Sequence, residues 1–210
     1  MSSLNGKFIV LDGPDGCGKT TQSKLLSQWV QSQGVDVVSF RDPGTTAAGE
    51  AIRAILLGTE YGHIDDAAEV MLYMAARIQL WHENIAPALE TGKCVIMDRW
   101  LSSTCAYQGY AGGFGMERVV DIAALSLERL WPDITVLLDI DVEQSSARLT
   151  RELDRMELKG QDYHRLVEAG YKELATRSND SGFGSFVVVN AVGEIEQIHN
   201  TIINVVEEQF

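Results

Sequence analysis

The octapeptide Gly13-Pro14-Asp15-Gly16-Cys17-Gly18-Lys19-Thr20 constrains this chain more than any other segment. It fits G-x-x-x-x-G-K-[ST], and the apolar run Phe8-Ile9-Val10-Leu11 stands directly before it. A phosphate-binding P-loop requires that context: a strand, a glycine loop, then a helix. Glycines let successive backbone N–H groups turn inward around phosphate oxygens, and the helix adds its positive N-terminal end. The expected contacts to a nucleoside triphosphate are Gly13, Asp15, Gly16, Cys17, Gly18, Lys19, Thr20 and Thr21. Lys19 is placed to reach the β- and γ-phosphates and Thr20 to hold Mg²⁺. Proximity to a helix N-terminus would lower the Cys17 thiol pKa, but a small residue filling a tight turn is the simpler reading.

Beyond the loop, apolar runs alternate with stretches of helical periodicity. Strands are expected at 8–11, 35–40, 94–97, 134–140 and 185–189. Helices are expected at 20–33, 47–57, 116–130, 142–153, 162–177 and 193–208, with a long helical stretch at 65–90 interrupted at Pro87. Four glycines between positions 109 and 115 predict a loop. Uniformly apolar strands separated by helices signal a parallel sheet covered on both faces. The expectation is an α/β fold of the P-loop NTPase type, a five-stranded parallel sheet with helices on both faces. No repeat or linker divides it, so residues 1–210 are expected to form a single domain.

Charge narrows the partners. With 17 Lys and Arg against 30 Asp and Glu, the net charge of −13 argues against binding polymeric nucleic acid, which rests on many phosphate contacts. A small phosphorylated ligand needs only a local cluster of arginines. No apolar run is long enough to span a membrane, and the N-terminus lacks the apolar core of a signal peptide. Cys17, Cys94 and Cys105 show neither metal spacing nor an even count, which fits a reducing cytoplasm.

Open α/β sheets place ligands at the carboxyl ends of their strands, and there the remaining motifs lie. The second strand ends in Arg41-Asp42-Pro43-Gly44-Thr45, with Arg53 beyond. The third ends in Asp98-Arg99-Trp100, followed by Ser102-Ser103-Thr104-Cys105-Ala106-Tyr107-Gln108-Gly109. Arg148, Arg151 and Arg155 follow the fourth at helical spacings, a pattern that ordinarily marks a solvated charged face. Tyr73, in Met71-Leu72-Tyr73-Met74, would ordinarily be core.

Together these segments resemble the thymidylate kinase family over nearly the whole chain. The family's marks are strings like R-E-P-G-G-T, L-L-F-A-A-D-R-A-Q-H, D-R-Y/H…S-x-x-A-Y-Q-G and L-D-R-I-E. Here they stand as RDPGTT, VMLYMAARIQL, DRWLSSTCAYQG and LDRME. Asp42 and Thr45 replace Glu and Gly, Tyr73 replaces a phenylalanine, and Ala76 and Leu80 replace Asp and His around Arg77.

The resemblance implies a kinase that transfers the ATP γ-phosphoryl group to dTMP, with Mg²⁺, as a homodimer. It implies Arg41, Arg53 and Arg99 for the acceptor phosphate, with Arg99 also at the reacting group. Asp15 would bind the sugar 3′-hydroxyl and Tyr107 pack under the sugar. Tyr73 would stack on the base, whose edge Arg77 and Thr104 would meet, and Gln108 would belong to the same dTMP site. Asp98 resembles a Walker B-type acid acting on Mg²⁺. Gly16 stands where one subgroup of the family carries an arginine. In the other subgroup a lid, here about 148–160, supplies that charge through Arg151 and Arg155, with Arg148 beside the ATP. Two other classes place different demands on the chain. A deoxynucleoside kinase would need a base and fewer acceptor arginines. A nucleotide switch or motor would carry N-K-x-D or a Glu after the Walker B Asp, and Arg99 takes that place.

Overall fold

Phe8 to Leu11 carries no polar residue because both faces of its strand are covered. Phe8 and Val10 enter one buried cluster and Ile9 and Leu11 the other, with all four fully excluded from solvent. Each such burial stabilises by about 1.5–3 kcal/mol. The structure, a computed structural model, describes residues 3–150 and 152–210.

The chain runs β1 (Phe8–Asp12), α1 (Lys19–Ser32), β2 (Val37–Arg41), α2 (Ala47–Leu57), α3 (Asp66–Leu80) and α4 (Ala86–Glu90). It continues with β3 (Cys94–Asp98), α5 (Leu101–Thr104), α6 (Met116–Ala124), β4 (Ile134–Asp139) and α7 (Val142–Ala147). It ends with α8 (Gln161–Thr176), β5 (Phe186–Asn190) and α9 (Ile195–Gln209). The five described strands form one parallel sheet in the order β2-β3-β1-β4-β5. One face is covered by α1 and α9 through Leu26, Val30, Ile198, Ile202 and Val206. The other is covered by α3, α6 and α8 through residues such as Val70, Met74, Val119, Val167 and Leu174. Register brings the strand ends together, with Leu11 and Arg41 both opposite Asp98.

Four expectations change. The stretch at 65–90 is not broken at Pro87; a wider π-helical turn at Trp81–Ile85 precedes it. A proline ring clashes with the carbonyl four residues back in an α-helix, and the wider turn ahead of it accommodates the ring. The glycine-rich stretch is a loop only in its second half: α5 runs into a π-helical turn, Cys105–Ala111, and the loop occupies residues 112–115. Gly109 serves close packing there, since a Cβ would lie 3.0 Å from Met116 Cα. Helix α6 stops at Ala124, where the Ser126 hydroxyl donates back to the Ile122 carbonyl at 3.1 Å. Helix α7 stops at Ala147, so Arg148 and Arg155 do not share a helical face. No helix among the described residues is long and apolar enough to cross a membrane.

Candidate active site

The P-loop joins β1 to α1. Lys19 is buried and its Nζ donates to the carbonyls of Gly13 at 3.0 Å and Pro14 at 2.7 Å. Gly16 adopts φ 80°, and a Cβ there would run into the Ser145 carbonyl. No side chain fits at that position in this backbone, so an arginine cannot stand in the loop. Cys17 is buried beside Lys19, and burial pushes its thiol up against the pull of the Lys19 charge. It fills a tight turn and is no activated thiolate.

Thr20 Oγ1 donates to Asp98 Oδ2 at 2.6 Å, bringing a hydroxyl and a carboxylate from opposite ends of the motif set together. Two hard oxygen donors beside a phosphate loop suit Mg²⁺, which binds through one or two protein oxygens plus substrate phosphates and water. The pair fits that ion and not a protein-only cage, for no cluster of three His, Cys, Asp or Glu that could hold a metal exists among the described residues.

The loop opens onto a cleft of about 610 Å³ lined by Gly18, Lys19, Thr20, Thr21, Asp98 and Arg148 among others. A smaller pocket of about 80 Å³ lies beside it, lined by Tyr73, Arg77, Thr104, Tyr107, Gln108 and Met156 among others. Asp15, Asp42, Arg53 and Arg99 line both. The two spaces therefore meet at two arginines and two carboxylates.

Arg99 takes a left-handed backbone, φ 71°, directly after β3. That strained conformation turns its side chain back under the P-loop. It donates to the Gly13 carbonyl at 3.0 Å and to Ser103 Oγ at 2.9 Å, and it pairs with Asp15. Tyr107 also donates to Asp15, at 2.7 Å. Burial alone would raise the Asp15 carboxyl, but the Arg99 and Lys19 charges and the Tyr107 hydroxyl hold it well below the usual carboxylate range. With the folded value below the unfolded one, the stabilisation is fully present above about pH 4 and lost as pH falls through the folded value. Asp15→Asn is expected to destabilise the protein more at pH 7 than at pH 3. Equal losses in denaturant titrations at the two pH values would remove charge from the explanation.

Arg77 is 1% exposed and held by Asp42, 2.6 Å away, and by the Trp100 carbonyl at 3.3 Å. It donates to Thr104 Oγ1 at 2.9 Å. Asp42, at the end of β2, thus supplies the support that Ala76 and Leu80 cannot. Burial raises the Asp42 carboxyl against the opposing pull of Arg77. Tyr73 is buried on the same helix and lines the small pocket. Arg53 donates to the Pro43 carbonyl at 2.9 Å, and burial together with the neighbouring Arg41 charge lowers its pKa. Arg41 is paired with Glu50 at 2.9 Å on the surface.

The two described arginines of the cluster take different partners. Arg148 lines the large cleft and donates to the Ala191 carbonyl at 3.2 Å. Arg155 instead is paired with Glu69 and donates to the Leu56 carbonyl at 2.7 Å, while its neighbours Asp154 and Met156 line the small pocket. With α7 ended at Ala147, Arg148 and Arg155 do not lie on one helical face. Arg151 lies outside the described residues.

The structure adds residues that sequence reasoning missed. Asp12 is fully buried and accepts from Gly13 N at 2.8 Å, Ser102 Oγ at 2.5 Å, Ser103 Oγ at 2.6 Å and Tyr171 OH at 2.8 Å. Its own signal, an aspartate closing an apolar strand before the loop, is in the sequence. Tyr171 lies 159 residues away and has no local signal.

The thymidylate kinase family model matches residues 11–202. A thymidylate kinase of Thermoanaerobacter sp. (strain X514) is 39% identical over 206 residues, covering 98% of this chain and 99% of its own length. One of Bacillus licheniformis is 36% identical over 209 residues, covering 98% of this chain and 97% of its own. A crystal structure of thymidylate kinase from Ehrlichia chaffeensis superposes with a TM-score of 0.75 at 29% identity, covering 97% of this chain and 99% of that one.

Proposed function

The chain belongs to the thymidylate kinase family, and from that premise we propose how its residues share the work. The enzyme transfers the γ-phosphoryl group of ATP to dTMP, giving dTDP and ADP. Phosphoryl transfer asks a protein mainly for position and for positive charge around the moving group. The observation that carries the assignment is the meeting of the large cleft and the small pocket at Arg53 and Arg99.

ATP lies along the P-loop in the large cleft, with Lys19 on its phosphates and Arg148 beside it. Thr20 and Asp98 would hold Mg²⁺, which would supply positive charge against the negative charge of the ATP phosphates. The dTMP monophosphate, close to doubly charged, sits between Arg99 and Arg53 with Arg41 beside them. Tyr73 stacks on the thymine, while Arg77, Thr104 and Gln108 face its edge. Asp15 and Tyr107, already hydrogen-bonded to each other, hold the sugar. No general base is needed, because the attacking phosphate oxygen is already ionised. A deoxynucleoside kinase and a nucleotide switch find no support in the comparisons. The family resemblance also implies a homodimer, for which exposed Met71 and Leu125 offer apolar surface.

The test is an assay coupled to ADP release across all nucleoside monophosphates, with dTMP expected as the favoured acceptor. Favoured use of another base would overturn the reading. Tyr107 gives a sharper form of it, since a ring packed against deoxyribose leaves no room for a 2′-hydroxyl and a clash discriminates strongly. The wild type is expected to reject ribothymidine monophosphate and Tyr107→Ala to admit it. An unchanged ratio of kcat/KM for the two sugars would assign the choice to another residue.

A further inference from the structure

Helix α3 carries a carboxylate that phosphoryl transfer leaves without a task. Glu69 is 1% exposed and lies one turn before Tyr73 and two before Arg77. Spacings of four put all three on one helix face. A buried carboxylate is costly unless charges and hydrogen bonds meet it, and Glu69 has both. Its Oε1 accepts from Gln108 Nε2 at 2.8 Å and from Lys159 Nζ at 3.4 Å, while its Oε2 takes the Arg155 guanidinium. These partners hold its carboxyl below the ordinary value even though burial opposes ionisation.

The partners come from two places. Gln108 lines the acceptor pocket from the π-helical turn after α5, whereas Arg155 and Lys159 belong to the segment after α7. That segment is pinned further where Arg155 N donates to the Leu57 carbonyl at 3.1 Å. Beside these anchors, Asp154 and Met156 form a wall of the acceptor pocket. Glu69 is the group that Gln108, Arg155 and Lys159 have in common.

We propose that Glu69 is a positioning residue that latches the lid segment onto the acceptor pocket, so that the pocket wall and the lid close as one unit. The proposal rests on the reading of that pocket as the dTMP site. Glu69 does not touch the reacting atoms; it acts by fixing Gln108 on one side and Arg155 on the other. Such a latch uses binding at the acceptor site to order the segment that must exclude water during transfer.

Hydrogen exchange and a mutant cycle test it on the full chain. Glu69→Gln keeps the shape and removes the charge. Amide exchange over 152–159 is expected to speed up about tenfold while β1 and β3 stay protected, the signature of local opening. Glu69→Gln and Arg155→Met are each expected to lower kcat/KM for dTMP about tenfold, and the double variant no more than about twofold further. Unaltered exchange over 152–159, or single losses that multiply to about a hundredfold in the double variant, would overturn the latch. Should Glu69→Gln unfold, Arg155→Met and Lys159→Met carry the exchange measurement, and the same local acceleration is expected in each. A wild type that does not phosphorylate dTMP would sink the acceptor assignment instead, while the exchange result still decides whether Glu69 holds the segment.

Discussion

Lys19→Ala is expected to lower turnover at least about a hundredfold, the scale of losing one preorganised transition-state charge partner, while the fold survives. The Lys19 ammonium lies inside the P-loop on the Gly13 and Pro14 carbonyls, and its position as the first residue of α1 is set by backbone that alanine keeps. Alanine removes the charge and leaves the helix intact, since it is the best helix former. Steady-state kinetics with thermal melts of both proteins make the check. Near-normal ATP-dependent turnover in a folded variant would refute the donor-site assignment. A collapse of the melting transition would mean that the lysine holds the loop together rather than the phosphates.

Arg99→Ala is the second large effect, and it acts on two quantities. Arg99 pairs with Asp15 in the P-loop and lies 3.5 Å from Asp12 at the end of β1. Removing one partner of a buried pair costs about 3–5 kcal/mol, and the lower end is expected because Asp12 keeps its four other donors. In catalysis the loss is expected to fall on the acceptor, with kcat/KM for dTMP lower by at least about a hundredfold and the KM for ATP nearly unchanged. The rival outcome is concrete, because Arg99 also donates to the Gly13 carbonyl inside the P-loop. If both KM values rise together, Arg99 shapes the donor loop and Arg53 carries the acceptor phosphate alone.

Much of this architecture was legible before any coordinates. The strand-loop-helix unit at β1 and α1 follows from an apolar run, glycines and a helical period that neighbour one another in the chain. The same is true of β3 closing on Asp98 and Arg99, and of α2, which begins where Thr46 caps it by accepting from Gly49 N at 2.9 Å. Local failures had local causes. Glycine reads as a loop by its backbone freedom, yet Gly109 is used for the closeness it permits. Pro87 reads as a break, yet a π-helical turn absorbs it.

What the sequence determined by itself is the set of parts: the P-loop, the sheet class, the net charge of −13, and the residue types gathered at the two pockets. Backbone conformation and hydrophobic period act over a few neighbouring residues, and so they can be read from a few neighbouring letters. Tertiary structure alone decided which parts meet. Asp42 holds Arg77 across 35 residues, Asp12 takes Tyr171 across 159, and Glu69 gathers Gln108 with Arg155 across 39 and 86. The arginines after β4 show the difference most plainly, for helical spacing suggested one face, yet α7 ends at Ala147 and Arg148 lines the large cleft while Arg155 pairs with the buried Glu69. A charged side chain goes where its counter-charge is buried, and that place exists only once the sheet and its helices have packed.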